Sequence, residues 1–87
     1  MEHKLDGNAA AGTLQEIFPF DMTLAQATCA GCGAINAIGA TAVYMHGMGT
    51  VIRCPSCDTV LIRVARTKGR NFLDMQGVRV LQIGTEA

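Results

Sequence analysis

The residues best suited to chemistry are four cysteines. Cys29-Ala30-Gly31-Cys32 and Cys54-Pro55-Ser56-Cys57 are two C-x2-C pairs with 21 residues between them, and they use every cysteine of the chain. A C-x2-C turn aims two thiolates at one point, where nearby backbone N–H groups stabilise the sulfur charge. Two such turns brought together by a hairpin place four sulfurs tetrahedrally around one ion, with Zn–S distances near ~2.3 Å. Gly31 and Gly33 suit the tight backbone of the first turn, and Pro55 restricts the second. Cys29, Cys32, Cys54 and Cys57 are therefore the expected ligands of a structural Zn²⁺, with iron the less expected metal. Four protein thiolates fill the shell and leave no position for a reacting water. Local disulfides fit less well, because the N-terminus lacks the basic-then-apolar pattern of a secretory signal. A thioredoxin-type redox pair needs a βαβ setting, and neither pair has one.

The remaining polar residues do not assemble a reaction site. His46 falls at an expected hairpin tip beside Gly47, and His3 in an N-terminus expected to be mobile. Asp21, Asp58 and Asp74 are single acids in separate segments, read as caps, turns and ion pairs. No Ser–His–Asp set, paired acids or phosphate loop can be built, so a non-catalytic protein is expected. Charge sums to zero but is unevenly placed. Lys4 alone faces Glu2, Asp6, Glu16 and Asp21 in residues 1–50, whereas six of the seven bases follow. Arg53 beside the second cysteine pair, with Arg66, Lys68 and Arg70 at a later hairpin tip, could contact phosphate or a partner. No aromatic residue interleaves them for base stacking.

These cysteines need elements to position them. Residues 6–18 read as a short helix that Asp6 or Asn8 could cap, with Ala10, Leu14, Ile17 and Phe18 on one apolar stripe. Pro19 stops it. The metal-binding and sheet region follows over 22–83, with strands expected at 22–28, 38–46, 50–53, 59–66, 71–75 and 78–83. A four-residue loop at 67–70 sets Arg63 opposite Asp74. A two-residue turn at 76–77 would then set Asp74 opposite Arg79, giving an Arg63–Asp74–Arg79 row. Ile62, Val64, Leu73, Met75, Val78 and Val80 would share the other face. The expected fold is α+β, mostly β: one domain over 1–87, with a short N-terminal helix and an antiparallel zinc-ribbon sheet.

Composition explains why such a chain needs a metal. Among 87 residues, 12 are Ala and 10 Gly, against three Phe, one Tyr and no Trp, so little apolar area is available to bury. Charged residues are only 16%, which argues for a folded domain. The zero net charge argues against binding a polyanion by bulk charge. No apolar run approaches the ~18 residues of a membrane span. A cytoplasmic location and a protein partner are expected, with nucleic acid the alternative partner and a membrane excluded.

At this level the chain resembles known families. CAGCG and CPSCD resemble the knuckles of zinc ribbons. Leu5-Asp6-Gly7-Asn8-Ala9-Ala10-Ala11-Gly12, the knuckles, RCPSCDTVLIRV and FLDMQGVRVLQI together are similar to a family of small bacterial proteins of unknown function. That resemblance covers most of the chain and implies a zinc-ribbon fold with no assigned catalysis. Because such proteins are encoded near oxidoreductases, it also implies an oxidoreductase as partner. CAGCG and CPSC resemble rubredoxin as well, which would imply one iron and electron transfer. Asp58 stands where rubredoxin has its second knuckle glycine, and the rubredoxin aromatic cluster is missing.

Overall fold

The computed structural model describes residues 3–19, 21–46 and 49–84. It is mostly β, with one short N-terminal helix and two antiparallel sheets. The chain runs through β1 (His3–Asp6), α1 (Ala11–Gln15), β2 (Gln26–Cys29), β3 (Ile35–Ala37) and β4 (Ala42–His46). It continues through β5 (Gly49–Arg53), β6 (Val60–Thr67), β7 (Arg70–Asp74) and β8 (Val78–Gln82). A five-stranded sheet has the order β1-β4-β5-β6-β7, and a three-stranded sheet the order β3-β2-β8.

Period-two alternation sorts the larger sheet into two faces. Leu5, Val43, Ile52 and Ile62 line up across four strands of its inner face, and the last three are wholly buried. Met45, Thr50, Val64 and Leu73 form the next row. Against this face pack Ala10 and Leu14 from the helical segment, Met22 and Ile38 from two 3₁₀ turns, and Ala27 and Cys29 from β2. Asp21 orders the first of those turns, Met22–Leu24: its Oδ1 accepts the Thr23 N–H at 3.0 Å.

Four sequence expectations need correction. The helix expected over 6–18 is only Ala11–Gln15, preceded by a 3₁₀ turn at Gly7–Ala10. Asp6 belongs to β1, where it pairs with Ala42, and the helix starts at Ala10 without a side-chain cap. Gly7 is pinned against the Ile38 carbonyl, where any side chain would collide. The apolar stripe itself survives, with Ala10 and Leu14 buried and Ile17 and Phe18 packed on the core. His3, expected in a mobile end, begins β1 opposite Met45. β3 was not anticipated, and residues 22–24 and 38–40 form 3₁₀ turns rather than strand.

The fourth correction concerns the end of the chain. β6 and β7 pair as expected, with Arg63 opposite Asp74, and their ladder closes tighter, at Thr67 opposite Arg70. β8 does not continue this meander. Asp74 Oδ1 accepts the Gln76 N–H at 3.0 Å, and the Val78 N–H donates to the Met75 carbonyl at 3.1 Å, so the chain turns away. Gly77 passes hard against the Val60 carbonyl, and its own carbonyl accepts the Ala30 N–H at 2.8 Å. β8 then pairs with β2, placing Arg79 in the other sheet from Arg63 and Asp74. The expected common apolar face divides likewise: Ile62, Val64 and Leu73 share the large sheet, while Val78 and Val80 lie in the small one. The expected hairpin tip at residues 47–49 is bracketed by His46 opposite Gly49, and residues 47 and 48 lie outside the described set.

Candidate metal centre

Each cysteine pair grows from the end of a strand. Cys29 closes β2, and Cys32 sits in the turn to β3. Cys54 follows β5, and Cys57 sits in the turn to β6. One knuckle therefore belongs to the small sheet and the other to the large one. Their hydrogen bonds fall at identical offsets. The Cys29 N–H donates to Ala34 O at 2.9 Å and the Cys54 N–H to Thr59 O at 2.8 Å. The Gly33 and Asp58 N–H groups donate to the Cys29 and Cys54 carbonyls, both at 2.9 Å. The Gly31 N–H points at Cys29 Sγ (3.3 Å), and the Ser56 N–H at Cys54 Sγ (3.4 Å). Gly33 (φ 79°) and Asp58 (φ 68°) both take the left-handed backbone that turns the chain out of its knuckle.

All four Sγ atoms lie within 4.8 Å of one another. Cys29 Sγ is 3.6 Å from Cys57 Sγ, and Cys32 Sγ is 3.7 Å from Cys54 Sγ. Four sulfurs at ~2.3 Å from a central ion would be about 3.8 Å apart, so the cluster has the size of a tetrathiolate shell. The same separations are far too long for S–S bonds of ~2.05 Å. Cys29 and Cys54 are buried in the core, whereas Cys32 and Cys57 face solvent.

Local dipoles already favour negative sulfur at part of this site. The backbone N–H of Cys32 holds the Cys29 thiol well below its ordinary 9.0, at about 6, against the opposing effect of burial. The Gly31 N–H and the thiols of Cys57 and Cys32 help to lower it. Cys57 is lowered too, first by the Thr59 hydroxyl, whose Oγ1 is 3.0 Å from its Sγ, and then by the Thr59 N–H. At Cys32 the Ala34 N–H pulls downward, but the Cys57 thiol, burial and the Cys54 and Cys29 thiols outweigh it. Cys32 is pushed up to about 12. A cluster of sulfurs that cannot all ionise together is what a divalent cation relieves.

The basic residues do not form one surface. Arg53 donates to the Asp58 carbonyl at 3.0 Å, lies 3.7 Å from Asp58 Oδ2 and sits over the Tyr44 ring, so it braces the second knuckle. It pairs near Val60, whereas Arg66 lies about 20 Å further along β6 at ~3.3 Å per residue. Arg66, Lys68 and Arg70 do come together, around an open concavity of about 360 Å³ that Asn71 also lines. Arg66 is engaged there by Glu16 of the helical segment and by Asn71 Oδ1 at 3.1 Å. Sequence reasoning missed Thr59, whose only signal was its place two residues after Cys57.

Mostly β, with one four-cysteine cluster joining two antiparallel sheets, the chain belongs to a family of unknown function (DUF6510), which matches residues 1–86. No curated protein and no solved structure matches it significantly. Among the described residues no helix is long and apolar enough to cross a membrane.

Proposed function

We infer that Cys29, Cys32, Cys54 and Cys57 hold one structural Zn²⁺ and that the protein is a non-catalytic interaction module of zinc-ribbon type. The observation that carries this reading is the cluster itself: two sulfurs from each sheet, all within 4.8 Å. An ion held there ties the sheets together, and its complete thiolate shell leaves no open position for chemistry. Its partner is a protein, with an oxidoreductase the leading class. Metal analysis of protein from native cells tests the first half: one zinc per chain and a colourless, redox-silent protein are expected. Iron with reversible reduction would replace this reading with electron transfer.

The grouping of Arg66, Lys68 and Arg70 favours a second reading, nucleic-acid binding through phosphate. Arg53 and Arg66 are already engaged by the protein, which leaves Lys68 and Arg70 as its principal contacts. Affinity for nucleic acid should fall steeply with salt if phosphates are contacted, and a flat series would discard it.

A further inference from the structure

The large sheet ends in an edge that nothing among the described residues covers. All five residues of β7 are exposed, including Phe72 at 54% and Leu73 at 38%, and among the described residues β6 is its only strand neighbour. Bare edges of this kind invite pairing with another strand. The hairpin defines what the edge offers. Lys68 (φ 25°) and Gly69 (φ 77°) make a two-residue turn with both φ positive, which Thr67 and Arg70 close as a hydrogen-bonded pair. Alternation then directs the backbone groups of Arg70, Phe72 and Asp74 toward β6. Those of Asn71 and Leu73 point outward.

We propose that two copies of this chain pair antiparallel through β7, about a twofold axis beside Phe72. This register sets Asn71 opposite the second copy's Leu73, and the outward N–H and C=O groups of these residues meet in four hydrogen bonds. The two Phe72 rings face each other as a close, non-hydrogen-bonded pair. Arg70 of each copy lies opposite Asp74 of the other, so the edge is complementary to itself in charge. On the outer face Asp74 is then flanked by Arg63 of its own strand partner and by Arg70 from the other copy. The two five-stranded sheets become one continuous sheet with an isologous junction. The other five-residue edge, β8, has no such match: self-pairing would set Arg79 against Leu81 and Val78 against Gln82. This surface is independent of the metal reading. One strand edge per copy is small for an interface, so a dissociation constant on the order of 100 µM is expected.

Charge exchange tests the register. Sedimentation of the full, metal-loaded chain from about 10 µM to about 1 mM should show a monomer–dimer equilibrium, and a monomer throughout would overturn the proposal. Arg70→Asp alone sets acid against acid twice, and Asp74→Arg alone sets base against base twice. Each should dimerise at least about tenfold more weakly than the parent. Mixed in equal amounts they should form a heterodimer, because both cross-strand pairs are then complementary. Variants that dimerise alone as the parent does would refute this register. Asp74→Arg also loses the bond to the Gln76 N–H, so amide exchange on the unmodified chain is the second measurement. Protection of Asn71 and Leu73 N–H groups should rise with protein concentration, and protection independent of concentration would sink the proposal.

Discussion

Residues 29–34 and 54–59 fold alike from sequences that share only their cysteines. The bonds that shape each knuckle run between backbone groups, apart from the N–H···S contact, so the residues between the cysteines are free to differ. Two constraints remain. The fourth residue after each first cysteine must accept a positive φ, which Gly33 and Asp58 do. The second residue must have room for its side chain, and here the knuckles part. Ser56 is exposed, whereas a Cβ on Gly31 would lie 2.5 Å from Thr59 Oγ1. The first knuckle leans on the second through Thr59, and the second is braced from its own strand by Arg53. One backbone pattern therefore serves two knuckles with different supports.

If a metal joins the two knuckles, removing a ligand from either should have the same large effect. Cys29→Ser and Cys54→Ser are each expected to cost several kcal/mol, because metal binding is coupled to folding. That corresponds to a fall in Tm of about 15 °C or more for a chain of this size. Calorimetry with metal analysis checks it. A variant without metal that melts like the parent would remove the metal from the stability of the fold.

Protons should discriminate between sulfurs that look equivalent by spacing. In the metal-free protein Cys29 is lowered from 9.0 to about 6, so its contribution to folding is full above 9.0 and is lost as pH falls through about 6. Cys32 is raised to about 12, so its contribution is present below 9.0 and is lost as pH rises through about 12. Denaturant unfolding of chelator-stripped protein should therefore show stability climbing from pH 6 toward 9 and declining beyond. A flat profile over that range would mean that the N–H groups of Cys32 and Gly31 do not favour thiolate at Cys29.

A smaller effect should separate Gly31 from its counterpart. Gly31→Ala must displace the Thr59 hydroxyl from Cys57, at a cost of about 1–3 kcal/mol. Ser56→Ala removes an exposed hydroxyl and should stay within about 0.5 kcal/mol. Equal changes in Tm would show that Gly31 does not lean on Thr59.

The cysteine cluster was legible because its signal is local: two short spacings single out the four cysteines, and strand ends bring them together. The β6–β7 register was legible for the same reason, since a hairpin turn and the alternation of Ile62, Arg63 and Val64 suffice to set it. What failed depended on contacts distant in sequence. The composition of residues 6–10 suits a helix, but β1 pairing with β4 and the close packing of Gly7 on Ile38 take that segment out of it. The turn at 76–77 could close a hairpin by length alone. Gly77 against Val60, and its bond from Ala30, instead carry β8 to a sheet formed some fifty residues earlier. Nothing near Gln76 in the sequence announces β2 as its partner. Arg53 looked like a ligand-seeking charge because its acceptor, the Asp58 carbonyl, is a backbone atom exposed by knuckle geometry.

The finest test concerns Asp58 and Gly33. A left-handed conformation costs a non-glycine residue roughly 1–2 kcal/mol, less for Asp than for most. Asp58→Gly relieves that strain but loses the exposed contact to Arg53, worth about 0–1 kcal/mol, and gives the unfolded chain more freedom. These effects nearly cancel, so a change below about 0.5 kcal/mol is expected. Gly33→Ala has no compensating contact and should cost about 1 kcal/mol or more. The bond from Arg53 Nη1 goes to the Asp58 carbonyl, which the glycine variant keeps. Arg53→Ala should therefore destabilise by about 1 kcal/mol in either background. If its effect vanished once Asp58 was glycine, the brace would be the carboxylate and not the backbone.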